Sequence, residues 1–299
     1  LSRLCPYIES CDLVVGETTC DGKKKAYEIF ADYAPVYVME IPQMKNACDR
    51  DLWRNELIRF KNRIEEVTGN TITADNLRAA IGLVNARRSV LQRLNRLRAA
   101  SPVPISGRDV LLINQISFYD DPSRFTENIT KLCDEIEQQV AAGKGVVPKE
   151  SPRLMLSGCP MAVPNWKLPY IIESSGAVIV GEESCIGTRN TRDLVQEGNG
   201  SLDALLDALV DRYMKIDCAC FTPNTERLDH IVEMARDLNV NGVVHYGLSF
   251  CQPYGMEAFK VEQALRKADI PMLSIETDYS MEDVEQLKTR VEAFVEMIR

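Results

Sequence analysis

Short apolar runs closed by glycine or proline, each followed by a helix-length amphipathic stretch, recur along this chain and leave it few folds to choose from. Asp12-Leu-Val-Val-Gly16 and Val36-Tyr-Val-Met-Glu-Ile41, the second stopped by Pro42, flank a helix expected from about residue 22 to residue 34. A strand, a helix and a second strand at this spacing make a parallel βαβ unit. From about 50 to 100 the period turns helical. Trp53, Leu57, Ile58 and Ile64 share one face, Gly69 ends that helix, and Thr73 is the cap candidate of a longer one over 74–99. Residues 109–113 are expected as a return strand and 123–142 as a helix. The second half alternates cleanly, with strands at 153–157, 177–181, 242–247 and 271–276 and helices near 202–214, 224–238 and 256–268. Ser280 opens a capping-box pattern, S-M-E-D, from which the last helix is expected to run to the end. The polar stretch 143–152 reads as a linker. The expectation is an α/β protein of two Rossmann- or flavodoxin-like parallel-sheet domains, 1–147 and 148–299, the first with a helical insertion over about 50–100.

Charge excludes some functions. Lys and Arg number 35 against 44 Asp and Glu, a net charge of -9 over 299 residues, so the basic face that nucleic acid requires is not expected. Five arginines (Arg87, Arg88, Arg93, Arg96, Arg98) crowd one helix and read as a solvated or ion-paired face. No apolar run reaches the roughly 18 residues of a membrane span, and no signal-peptide core opens the chain; a cytoplasmic protein is expected. The sequence begins at Leu1 rather than Met, and the native N-terminus is expected to lie further upstream.

Cysteine is the informative residue. Ten in 299 is too few for a disulfide scaffold, and the only histidines are His230 and His245, so a histidine-built metal site has little material. Four thiols follow predicted strands: Cys20, Cys159, Cys185 and Cys251. In an open parallel sheet, ligands bind outside the carboxyl ends of strands. Asp12-Leu-Val-Val-Gly-Glu-Thr-Thr-Cys20 also resembles Ala177-Val-Ile-Val-Gly-Glu-Glu-Ser-Cys185 in hydrophobic pattern, Gly, Glu and Cys, which suggests two related domains each offering a cysteine loop to a shared cleft. Cys218-Ala-Cys220 adds a C-x-C pair, and Cys5-Pro6 lies near the start. Ferredoxin runs and zinc knuckles are missing. Dispersed thiolates on several loops fit an iron–sulfur cluster held between domains, since soft thiolate is the ligand such clusters select. Cys133, Cys48 and Cys11, in contrast, read as structural, as do His230 and His245. Gly16, Gly158, Gly181 and Gly187 read as tight turns that let backbone approach a cluster. Weaker candidates are Lys23, Lys24 and Lys25 as an anion site at a helix start and Glu17, Glu182 and Glu183 as proton donors, with salt bridges and caps as the commoner roles of such residues.

In combination, Val15-Gly-Glu-Thr-Thr-Cys-Asp-Gly-Lys-Lys-Lys25, Ser157-Gly-Cys-Pro160, Gly181-Glu-Glu-Ser-Cys-Ile-Gly187, Cys218-Ala-Cys220 with Pro223-Asn224, Phe250-Cys251 and Ile275-Glu-Thr-Asp-Tyr-Ser280 resemble the 2-hydroxyacyl-CoA dehydratase and benzoyl-CoA reductase superfamily, over nearly the whole chain. The likeness is greatest to its double-cubane cluster proteins. The resemblance implies an iron–sulfur reductase component that performs ATP-dependent low-potential reduction of a small-molecule substrate, with electrons from a separate ATP-hydrolysing [4Fe-4S] activator protein, in an anaerobic setting and as a homodimer. In the dehydratase branch three cysteines hold one [4Fe-4S] cluster. Cys20 and Cys251 match two of those positions, and Cys5 is the nearest candidate for the third, which in the family lies further upstream. Two linked cubanes, [8Fe-9S], need six ligands, for which Cys5, Cys20, Cys159, Cys185, Cys218, Cys220 and Cys251 are the candidates. An (R)-2-hydroxyacyl-CoA dehydratase subunit with one cluster, and a non-enzymatic electron-transfer protein, are the alternatives.

Overall fold

The computed structural model describes residue 8, residues 10–162 and residues 165–299; Cys5 lies outside them. In chain order the elements are β1 (Val14–Glu17), α1 (Asp21–Phe30), β2 (Val36–Met39), α2 (Ala47–Thr68), α3 (Ala74–Leu97), α4 (Gly107–Ile116), α5 (Pro122–Ala141), β3 (Arg153–Gly158), α6 (Lys167–Ser174), β4 (Val178–Glu182), α7 (Thr188–Thr191), α8 (Leu202–Tyr213), α9 (Thr225–Asp237), β5 (Gly242–Leu248), α10 (Gln252–Lys267), β6 (Met272–Thr277) and α11 (Val284–Met297). The chain divides into two compact units: residues 1–82, 195–216 and 220–223 in the smaller, and residues 83–194, 217–219 and 224–299 in the larger. The 147/148 division read from the sequence falls within the larger.

In the smaller unit β1 and β2 pair in parallel, Val14 opposite Val36 and Glu17 opposite Met39, with α1 between them in sequence. Asn46 and Asp49 exchange side-chain and backbone bonds in a capping box at the start of α2. Gly69, at φ +69, ends that helix with a left-handed residue. Met39 and Trp53 pack with Val210 of α8, and Arg50 and Arg54 of α2 pair with Asp211 and Asp207.

The larger unit is built on a four-stranded, wholly parallel sheet in the order β4-β3-β5-β6. β3, β4 and β5 are buried almost throughout because both faces are covered, whereas the edge strand β6 alternates buried Ile275 and Thr277 with exposed Ser274 and Glu276. Leu154, Leu156, Val244 and Tyr246 point to the side packed by α6 and α11, while Met155 and Val243 point to the side packed by α9 and α10. Burying each of these side chains contributes roughly 1.5–3 kcal/mol. β3 and β5 are hydrogen-bonded neighbours, yet the connection leaving β3 leads outward to β4 and that leaving β5 leads outward to β6. The gap between their carboxyl ends is therefore the switch point of the sheet, where open α/β folds bind ligands. Among the described residues, no helix is long and apolar enough to cross a membrane.

Three expectations are corrected. Residues 109–113 are helical, inside α4, rather than a return strand. Ser106 caps that helix by accepting from Asp109 N–H at 3.1 Å, and the buried residues Val110, Leu111, Asn114 and Gln115 follow a helical period that the apolar run disguised. The S-M-E-D pattern at Ser280 does not cap α11, which starts at Val284; Ser280 instead donates its N–H to Asp278 at 2.7 Å. Gly16 and Gly181 lie within β1 and β4 rather than in turns, and glycine is needed there because the Tyr27 ring and the Met234 and Leu238 side chains occupy the space of a Cβ. Of the five arginines of the α3 segment, Arg93 and Arg98 are ion-paired, and Arg87 donates to the Ser117 carbonyl. Arg93 meets Asp134 and Glu137 of α5, and Arg98, fully buried, meets Glu182.

Candidate metal centre

Each of the four strand-linked cysteines follows the end of an observed strand. Cys20 comes three residues after β1, Cys159 immediately after β3, Cys185 three residues after β4 and Cys251 three residues after β5. Cys159, Cys185, Cys218 and Cys251 belong to the larger unit, and Cys20 and Cys220 to the smaller, so the C-x-C motif is divided between the two. In the larger unit the thiols meet in pairs. Cys159 and Cys251 lie near one another at the switch point, as do Cys185 and Cys218 beyond the end of β4. Cys5 lies outside the described residues.

The direction of the hydrogen bonds at sulfur separates Cys20, Cys159 and Cys185 from Cys11 and Cys133. Cys20 caps α1 by accepting from Lys23 N–H at 3.4 Å. Cys159 accepts from Leu248 N–H at 3.4 Å, and Cys185 accepts from Arg189 Nη1 at 3.3 Å. Cys11 and Cys133 do the reverse, donating to the carbonyls of Ile8 at 3.6 Å and Val90 at 4.0 Å. A sulfur surrounded by donors suits a thiolate, and one that must donate suits a thiol. Cys133 is wholly buried beneath α3 and α5, where burial pushes its pKa up to about 11. Cys48 is exposed in the first turn of α2.

Among the described residues, no three His, Cys, Asp or Glu side chains converge on one metal ion. A cubane makes a different demand: each thiolate binds its own iron, so the ligands stand apart around the cluster. Separate thiols on neighbouring loops, with N–H donors directed at sulfur, fit that demand. Burial pushes the Cys159 thiol up to about 12, with the nearby Cys251 adding to the effect. The nearby Cys218, with burial, raises Cys185. Protons must therefore leave these thiols when metal binds.

Beneath the Cys185 loop lies a buried ionic network that sequence reading did not find. Glu183 pairs with Arg189 and Arg227, and Asp217 with Arg189 and Arg192. Burial opposes ionisation of both carboxylates, but the guanidiniums outweigh it and hold each near about 2. Asp217 also meets His230 Nδ1 at 2.5 Å. Tyr254 stands on α10 with the Arg227 guanidinium over its ring, 5.1 Å from the centroid. One sign of this network was legible: Arg227 shares the buried face of α9 with Ile231 and Ala235, so a charge occupies a core position in the helical period. For Arg189, between polar neighbours, the sequence held no such sign.

The weaker candidates are occupied otherwise. Lys23 pairs with Glu17, Lys24 with Asp21 and Lys25 with Glu28. Glu182 and Glu183 are locked in arginine pairs, roles that leave them poorly suited to deliver protons. His245 is buried, as read, with Nε2 3.2 Å from the Tyr254 carbonyl. A cavity of about 150 Å³ opens beside Cys251, between Phe250, Tyr254 and Glu276.

Comparisons with known proteins agree with the motifs. Residues 1–298 match the family model of the 2-hydroxyglutaryl-CoA dehydratase D-component. The chain is 38% identical over 297 residues to YjiM of Escherichia coli K12, which carries the name of a dehydratase subunit, covering 98% of this chain and 76% of the relative. It is 26% identical over 270 residues to the (R)-phenyllactyl-CoA dehydratase beta subunit of Clostridium sporogenes (89% and 68% covered) and 20% identical over 268 residues to a benzoyl-CoA reductase subunit of Thauera aromatica (88% and 67% covered). The chain therefore belongs to the 2-hydroxyglutaryl-CoA dehydratase D-component family, within the superfamily of 2-hydroxyacyl-CoA dehydratases and benzoyl-CoA reductases.

Proposed function

We propose that this chain is the iron–sulfur component of an ATP-driven system that reduces a small molecule at low potential, with a double-cubane cluster held by six of Cys5, Cys20, Cys159, Cys185, Cys218, Cys220 and Cys251. The observation that carries the reading is the inward donation of N–H groups to the sulfurs of Cys20, Cys159 and Cys185, a pattern that Cys11 and Cys133 lack. When bound, the cluster would supply a low-potential one-electron centre. The protein's own contribution is to direct donors at the sulfurs of Cys20, Cys159 and Cys185, to bury Cys159 and to offer a small cavity beside Cys251. Electrons would come from a separate ATP-hydrolysing activator, as the family resemblance implies, within a reducing cytoplasm.

A second reading is favoured by the relatives named as dehydratase subunits: one [4Fe-4S] cluster and the loss of water from a 2-hydroxyacyl-CoA. Iron and acid-labile sulfide counted on anaerobically purified protein, with EPR after reduction, separate the two. Roughly eight irons per chain supports the double cubane and about four the single cluster. With a single cluster, Cys185→Ser leaves the iron content unchanged; with two it does not. Zinc alone, or no metal, overturns both readings.

A further inference from the structure

The hydrogen bonds of one buried guanidinium can be assigned individually. Arg189 sits in α7 with its side chain 2% exposed. Its Nε–H donates to Asp217 at 3.0 Å and its Nη2 to Glu183. The two protons of Nη1 then have two acceptors: the Tyr254 hydroxyl oxygen at 2.8 Å and the Cys185 sulfur at 3.3 Å. A guanidinium can only donate, so the Tyr254 oxygen is the acceptor in that bond and its own proton must point elsewhere. The Cys218 sulfur lies 4.0 Å from that oxygen. Arg189 thus donates to Cys185 directly, and the Tyr254 hydroxyl proton, which Arg189 does not use, is available to the Cys218 sulfur.

We infer that Arg189 and Tyr254 form a donor relay that directs positive charge at the Cys185 and Cys218 sulfurs and raises the reduction potential of the cluster these cysteines hold. The inference rests on the reading of Cys185 and Cys218 as cluster ligands. Neither residue touches iron or substrate, so both are positioning residues. Glu183 and Asp217 are each shared with a second guanidinium, Arg227 and Arg192, which pair in turn with Glu257 and Asp193, so the relay acts through the directed positive ends of its N–H and O–H groups rather than through net charge. Hydrogen bonds to cluster sulfur favour the more negative, reduced form and so raise the potential. The redox step is the uptake of one electron by the cluster from an external reductant, with no bond made or broken in the protein and no proton moved. A relay also couples its members: removing the hydroxyl takes a donor from Cys218 and an acceptor from Arg189.

The test is an EPR-monitored redox titration of the anaerobically reconstituted full chain as wild type, Tyr254→Phe, Arg189→Lys and the double variant, with iron and sulfide counted on each. Tyr254→Phe keeps the ring beneath Arg227, so folding and iron content should match wild type while the midpoint potential moves to a more negative value. Arg189→Lys keeps the charge but not the fork, and should move it further in the same direction. The double variant should shift less than the sum of the two, as members of one network do. An unchanged midpoint in Tyr254→Phe at full iron content overturns the relay. So does a loss of iron in Tyr254→Phe with the remaining cluster at the wild-type potential, the mark of a purely structural role. A wild-type chain that takes up no iron–sulfur cluster overturns the underlying assignment of the ligands, a result distinct from either.

Discussion

Arg98 grips Glu182 through two parallel bonds of 2.6 and 2.8 Å at a depth where neither side chain reaches solvent. A third donation, from Arg98 Nη2 to the Ile179 carbonyl at 2.9 Å, ties the guanidinium to β4 itself. Removing one partner of such a pair strands the other charge in the interior and costs about 3–5 kcal/mol, whereas replacing both with apolar groups is often close to neutral. Glu182→Leu is thus expected to lower the urea midpoint sharply, and the double variant Arg98→Met, Glu182→Leu to recover most of the loss. Equal instability of the single and double variants would show that the pair is not an isolated energetic unit.

The two classes of cysteine predict opposite phenotypes. Cys133→Ala removes a sulfur from a packed interior and should cost about 1–2 kcal/mol while leaving iron per chain as in wild type. Cys159→Ser, which exchanges the sulfur at the end of β3 for a poor iron ligand, should leave the fold intact by circular dichroism and reduce iron and sulfide. Iron loss in the Cys133 variant contradicts the assignment, and full iron in the Cys159 variant makes Cys159 the one candidate of the seven that does not bind.

Stability should fall on mild acidification because of His245. Burial, helped by the Arg227 charge, depresses its pKa from 6.5 to about 4. Above pH 6.5 the ring is neutral in both folded and unfolded chains and there is no penalty. Between pH 6.5 and 4 the unfolded chain takes up a proton that the folded chain refuses, so stability declines as pH falls, by up to about 3 kcal/mol for this group. Denaturant titrations across that window should show the slope in wild type and its reduction in His245→Gln. An identical slope in both would place the titration elsewhere.

Gly158 sits at φ +105 with the Tyr246 carbonyl where a Cβ would project. Alanine there meets both a disfavoured backbone and a direct overlap, a combined cost of at least roughly 1–3 kcal/mol. Because Cys159 N–H donates to the same carbonyl at 2.8 Å, the expected outcome for Gly158→Ala is reduced stability together with reduced iron retention. Retention at the wild-type level would separate the turn from the site.

Much of this architecture is readable before folding. Apolar runs such as Leu154-Met-Leu156 and Val243-Val244 mark strands covered on both faces, and the spacing between them marks the crossover helices. Cysteine position relative to strand ends was equally readable, since it needs only the strand boundaries. Residues 109–113 misled because a buried helical face that includes Val110 and Leu111 can present as an unbroken apolar run, and the Ser106 cap that settles the matter is a single residue. Arg227 betrayed itself by its place in the helical period, but Arg189 and Asp217 of the same network were hidden for a different reason. Charge in a sequence reads as surface, and only tertiary contact supplies the partners that make its burial tolerable.

Cys159 and Cys251 leave neighbouring strands that run side by side from Leu154 opposite Gly242 to Gly158 opposite Tyr246. The helix after β3 packs on one face of the sheet and the helix after β5 on the other. The strand ends that launch these two cysteine loops are consequently held at the interstrand spacing of ~4.8 Å, a distance set by backbone rather than by any side chain that mutation readily reshapes. Helices on either face are free to diverge along their length, altering what binds nearby, without moving the strand ends apart. A family that diversified its substrates while retaining one inorganic centre would find in this arrangement a chassis whose moving parts and fixed parts are already separated.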